Sequence, residues 1–182
     1  LTLLNAAQAC KEYSFAKQAE MLWLVNYPGD LYVQYMQAMT LAKLDNSSQA
    51  TKNLSTIVTF DPEFIEPYHS LSELSKGQES RRALNNIIKY LTEVSPDQSN
   101  QEEWLTPVWQ AREAYSQNKF DEAILLINES MVKSPPSPLP AILHLKIAYK
   151  LENQEMLSNL SEIYYDRWPN CLQVNILKAL SE

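Results

Sequence analysis

The side chains with the widest chemical range in this 182-residue chain are two histidines, His69 and His144, and two cysteines, Cys10 and Cys171. His69 and Glu73 stand at i, i+4 on one helix face, which is the start of a metal site. A metal would need at least one further protein ligand, and neither a Cys nor an acidic pair stands beside them. They are expected to form a solvated or groove-lining pair. His144 lies in AILHLKIAYK, where apolar neighbours imply a partly buried helix position. Cys10 and Cys171 sit near opposite ends with no CxxC or Cys/His spacing, and are read as buried free thiols. There is no glycine-rich phosphate loop, GxSxG elbow or HExxH, and with only Gly29 and Gly77 most backbone anion cradles are excluded. The expectation is a non-enzymatic protein with no metal and no cofactor. The sequons at Asn46, Asn53, Asn128 and Asn159 carry no secretory conclusion in a chain this rich in Asn and Ser.

Composition narrows the partner classes. A formal charge of −7 repels phosphate backbones and no Lys/Arg run offers a local exception, so nucleic acid is not an expected partner. No apolar stretch approaches the roughly 20 residues that span a bilayer, so no membrane insertion is expected. Hydrophobic residues make up 45% of the chain, enough for a packed core, and two glycines are too few for the hairpins of a β-sandwich. The elements must therefore be helices. The first residue is Leu, and the reading at this level is a segment of a longer protein with a cytoplasmic setting.

The helices are organised by a repeat. Pro28, Pro62, Pro96, Pro135 and Pro169 are separated by 34, 34, 39 and 34 residues. Twelve positions before each stands a small or apolar residue: Ala16, Ala50, Leu84, Ala123 and Leu157. Four further on come Glu20, Leu54, Ile88, Ile127 and Ser161, then Trp23, Ile57, Leu91, Ser130 and Tyr164, which is an inward stripe at i, i+4, i+7. Helix pairs follow, over units 1–28, 31–62, 65–96, 104–135 and 138–169, with a cap over 170–182 and a polar connector at 97–103. Helices are predicted near 2–11, 13–26, 31–44, 47–59, 64–76, 78–94, 103–117, 120–133, 139–151 and 154–167, then from about 170. Within units, Asp45-Asn46-Ser47, Lys76-Gly77-Gln78, Gln117-Asn118-Lys119 and Glu152-Asn153-Gln154 mark the turns. All ten prolines fall at unit ends, in loops or in first turns, where they cost a helix little.

The segment AREAYSQNKFDEAILLINESMVKSP resembles the second half of a tetratricopeptide unit, with Ala111 at the small position, Phe120 after the turn, Ala123 at the close contact and Pro135 as terminator. LAKLDNSSQATKNLSTIVTFDP shows the same pattern. The usual Trp and Gly of the first helix are missing, with Ala38, Ser72, Ala111 and Leu145 at the Gly position, and Leu145 is the poorest fit. The resemblance covers nearly the whole chain and implies an all-α fold: a right-handed superhelical α-α solenoid of five tetratricopeptide-like pairs plus a C-terminal capping helix.

The resemblance also implies a ligand groove on the concave face, lined by the first helix of each pair. Registering the repeat places Tyr32, Tyr35, Met39, His69, Glu73, Arg112, Tyr115, Lys146, Tyr149 and Lys150 there, flanked by Asn5, Gln8, Lys43, Glu66, Lys76, Val108 and Ile142. Tyrosines would supply rigid contact area while Arg112, Lys146 and Lys150 bind acidic groups. The two-carboxylate clamp of some family members is not matched: Asn5 fits one position, but Leu1, Met36, Glu66 and Ser70 occupy the others. The expected function is a protein-interaction scaffold or adaptor that binds a peptide or helical segment. The alternative is a self-associating structural or regulatory arm, with a homo-oligomer as its partner state.

Overall fold

A computed structural model describes residues 2–93 and 103–182. Eleven helices occur among them: α1 (Thr2–Ala9), α2 (Tyr13–Asn26), α3 (Leu31–Lys43), α4 (Ser47–Phe60), α5 (Ile65–Leu74), α6 (Gln78–Thr92), α7 (Leu105–Ser116), α8 (Phe120–Val132), α9 (Leu139–Lys150), α10 (Gln154–Arg167) and α11 (Leu172–Ala179). The described residues contain no strand. Neighbouring helices pack in pairs, α1 with α2 through α9 with α10, and α11 lies against both α9 and α10. Helix ends agree with the sequence expectation to within about three residues. Pro96 and the connector at 97–103, Glu103 excepted, lie outside the described residues.

The proline ladder has a physical basis in one recurrent turn. After α2, α4 and α10 the backbone reverses with proline at the second position, closed by Asp30 N–H to Tyr27 O (3.1 Å), Phe64 N–H to Asp61 O (3.2 Å) and Cys171 N–H to Trp168 O (3.1 Å). Proline's fixed φ and missing N–H suit that position and forbid helix continuation. The residue closing each turn is the N-cap of the next helix. A side chain six residues on then returns to the proline carbonyl: Gln34 donates to Pro28 O at 2.6 Å, Tyr68 to Pro62 O at 3.2 Å and Asn175 to Pro169 O at 3.1 Å. Pro135 departs from the scheme. Ser134 before it takes a left-handed φ of 51°, and the Pro135 carbonyl accepts from Arg167 instead.

The turns within pairs obey a second rule. Lys11, Asp45, Asn118 and Glu152 occupy the left-handed region at φ of 52–62°, each two positions before the second helix. Asn46 and Asn153 then cap α4 and α10 by accepting from Gln49 N–H and Met156 N–H. The third pair has Gly77 in its turn but no left-handed residue, since Gly77 itself sits at φ −86°.

The stripe read from the repeat is largely the core. Ala16, Ala50, Ala123, Leu54, Ile57 and Ile127 are buried, and so are the polar members Glu20, Ser130 and Ser161. Each of those three has hydrogen-bond partners: Ser130 Oγ donates to Trp104 O, Ser161 Oγ to Ser158 O, and Glu20 Oε1 accepts from Gln8 and Thr40. Leu145, the poorest fit in the repeat, is fully buried against the α9–α11 core.

Two expectations are corrected. On α6 the predicted stripe Leu84, Ile88, Leu91 is only half-buried, and Asn86 and Tyr90 take the buried positions. The helix divides its apolar side chains between two cores: Leu84 meets the Ala38, Leu54, Leu71 cluster, while Ile87 and Leu91 join Tyr90 against Trp104, Val108 and Trp109. Of the two cysteines only Cys171 is buried; Cys10 is exposed because α1 ends at Ala9 and leaves it in the turn.

Glu20 is an ionisable group in a dry place. Burial pushes its carboxyl above the usual range, and hydrogen bonds from Thr40 and Gln8 only partly offset this. The folded state therefore holds this proton more tightly than the unfolded chain. Its contribution to stability is favourable at acid pH and is lost as pH rises through the raised pKa. Glu20→Gln keeps an acceptor for Gln8 and Thr40 without the charge. Its melting temperature should gain on the parent as pH rises from about 4.5 to 7, a trend that thermal melts followed by circular dichroism will resolve.

Candidate functional site

The groove residues of the first half come together on α3 and α5. Tyr35 is half-buried, its hydroxyl 3.3 Å from Ser70 Oγ and its ring edge-on to Phe64 at 5.8 Å. Tyr32 follows at 6.5 Å from Tyr35 and remains 45% exposed. His69 and Glu73 stand exposed one turn apart on α5, and Met39 on α3 is half-buried. Both α3 and α5 place every third or fourth residue on this side, with Val33, Met36, Leu71 and Tyr68 facing the core.

The groove residues of the second half are engaged with their own chain. Arg112 donates to the carbonyls of Tyr90 and Glu93 at the end of α6, with its guanidinium 4.5 Å from the Tyr90 ring centre and 5.7 Å from Trp109. It thus satisfies the orphan acceptors of a helix end and places a cation there. Burial raises the Tyr90 phenol to about 12, with Arg112 acting in the opposite direction. Tyr90 and Trp109 meet at right angles, 6.0 Å apart. Lys150 lies over Tyr115 at 4.9 Å and Phe120 at 5.3 Å, and donates to Asn118 Oδ1 at 3.0 Å. Lys146 pairs with Glu63 at 2.7 Å. Tyr149 is exposed. Val108 and Ile142 are buried in the helix core, so neither lines a groove; apolar residues at those register positions face neighbouring helices.

Lys146 belongs to a contact the repeat does not announce. The turn between α4 and α5 reaches across to α9 and α11. Besides the Glu63–Lys146 pair, Gln173 Nε2 donates to Asp61 Oδ1 at 2.7 Å, so the Pro62 turn meets α9 and the first turn of α11. The partners are separated by 83 and 112 residues. Asp61, Glu63 and Gln173 had no local sequence signal, because nothing in a 34-residue period says which turns will touch.

No reactive constellation appears among the described residues. His144 is buried with Nδ1 2.7 Å from the Tyr164 hydroxyl, and burial draws its pKa down to about 4, which keeps it neutral. Burial likewise raises the Cys171 thiol, away from thiolate reactivity. Among the described residues no group of three His, Cys, Asp or Glu could hold a metal, and no helix is long and apolar enough to cross a membrane. Set against known proteins, the chain matches no protein-family model, no curated protein and no solved structure.

The role of Arg112 at the junction of α6 and α7 is measurable. Arg112→Ala should lower stability by about 1.5–3 kcal/mol, the range for charge-assisted hydrogen bonds. Arg112→Lys should recover less than half, because an ammonium cannot span two carbonyls while stacking on Tyr90. Urea unfolding midpoints of the three proteins will compare them.

Proposed function

We propose that this chain is a non-enzymatic scaffold of tetratricopeptide type, a right-handed solenoid of five helix pairs and a cap that holds a peptide or helical segment of another protein on its concave face. The carrying observation is that Tyr32, Tyr35 and Phe64 form a contiguous aromatic row between α3 and the start of α5, with His69 and Glu73 exposed one turn apart on α5. Rigid aromatic area next to charge is the composition of interface anchors. Arg112, Lys146 and Lys150 are already engaged, and the exposed charges on α3 and α5 themselves are two carboxylates, Glu66 and Glu73, against Lys43 at the end of α3. The segment that fits best carries an apolar or aromatic anchor with basic flanks.

A peptide-display selection against the folded chain tests this. Enriched sequences should share an apolar anchor and a Lys or Arg, and should lose at least tenfold in affinity to Tyr32→Ala combined with Glu73→Lys. A control at the exposed position Leu125→Ala should leave binding unchanged. Selected peptides indifferent to the double substitution would remove the site from α3 and α5.

One observation favours self-association as a second reading. On α2, Phe15, Met21, Leu22 and Val25 are exposed, Leu22 and Val25 by 69% and 79%. One period later the same positions are polar: Gln49, Ser55, Thr56 and Thr59. An apolar stripe where the neighbouring unit is polar suits burial against another surface. Light scattering over a hundredfold range of concentration should show association that Leu22→Glu with Val25→Glu abolishes; a constant monomer mass would remove this reading.

A further inference from the structure

The turn Asp61-Pro62-Glu63 is built as a rigid acidic ligand. Its backbone is closed by Phe64 N–H to Asp61 O, and Asp61 Oδ1 accepts from Glu63 N–H at 3.1 Å. The Pro62 carbonyl is held by the buried Tyr68 hydroxyl. The turn presents one carboxylate to Lys146 at 2.7 Å and the other to the Gln173 amide at 2.7 Å. Gln173 is itself oriented, its Oε1 accepting from the Cys171 thiol at 3.5 Å. An ammonium and an amide thus stand on α9 and α11 as two fixed donors, matched to two carboxylates.

We infer that Lys146 and Gln173 form a recognition site for an acidic segment of a partner protein, and that the chain's own Asp61-Pro62-Glu63 turn occupies it as an internal competitor. This rests on the scaffold reading and extends it to a second, oppositely charged subsite. Three observations carry it. An acidic segment is already seated there, so the chemistry of the occupant is on display. The Lys146 and Glu63 side chains are 39% and 43% exposed, so the pair can exchange with an outside carboxylate. Among the described residues Lys146 has no other ionic partner, whereas Arg112 and Lys150 are tied down by carbonyls, rings and an amide. A tethered occupant acts at an effective concentration in the millimolar range. An external segment therefore binds with its intrinsic affinity reduced by the fraction of time the site stands open.

The probe is a fluorescein-labelled synthetic peptide of residues 59–65, TFDPEFI, titrated by fluorescence anisotropy at low salt. Glu63→Gln weakens the internal occupant and should bind the peptide at least fivefold more tightly than the parent. Adding Lys146→Met to Glu63→Gln should abolish that gain, as should a peptide with Asn and Gln in place of Asp and Glu. Glu162→Gln makes the same change in net charge at an exposed position on α10, outside both surfaces, and should leave affinity at the parental level. Circular dichroism of each variant confirms folding. Equal affinity for the parent, Glu63→Gln and Glu162→Gln overturns internal competition, and a gain that survives Lys146→Met overturns the site. Because display selection reads the α3–α5 surface, its failure beside a positive anisotropy result would remove that surface and leave this subsite standing. The reverse outcome would remove only the subsite.

Discussion

A single helix pair of this length cannot bury its own apolar stripe, and everything else in the structure follows from the need to cover it with the next pair. The methyl groups of Ala16, Ala50 and Ala123, fully buried at one register position, let the second helix of a pair lie close to its neighbours. The proline turns then send the chain directly into the following first helix, with the residue that closes the turn already serving as its N-cap. Covering one pair creates the next exposed stripe, and the succession ends only where α11 lies over α9 and α10.

Where the succession is weakest, different chemistry appears. α6 splits its apolar residues between the cores on either side, and the step to α7 is made by Arg112 bridging two terminal carbonyls and stacking on Tyr90. At the other end of the first half, a network of buried Glu20 and Thr40 with half-buried Gln8 takes the place that Leu54 or Ile127 holds elsewhere. Polar groups in these positions carry directional bonds and therefore specify one arrangement, whereas a leucine would tolerate several. Satisfying them also consumes the charges that an inspection of the surface alone would assign to ligands.

Charge on a helical surface is thus divided between two duties. Arg112 and Lys150 are structural cations, one for a helix end and one for a pair of rings. Among the described residues Lys146 is held by Glu63 alone, through an exposed contact. Glu73, His69 and Tyr32 remain exposed on α3 and α5. The aromatic row is what the first half can offer to an apolar partner, and the Lys146 contact is what the second half can offer to an acidic one.

Helix type, number and ends were legible in the chain because they depend on short-range rules: proline's fixed φ, the 3.6-residue stripe, and Asn at a capping position. The burial of Ala50, Leu54 and Ile57 was legible for the same reason, since each repeats its neighbour's environment one period away. The rotation of α6, the exposure of Cys10 and the burial of Val108 and Ile142 were not, because each depends on which neighbour arrives rather than on the local pattern. Most dependent of all was the meeting of Asp61 and Glu63 with Gln173 and Lys146. Residues 112 and 83 positions apart share no period, and their meeting depends on how all the intervening helices pack rather than on any local pattern. The sequence by itself determined the units and their order, through local sterics and hydrophobic spacing. Only the tertiary structure decided which charges face one another, because that is a sum over every junction in the fold.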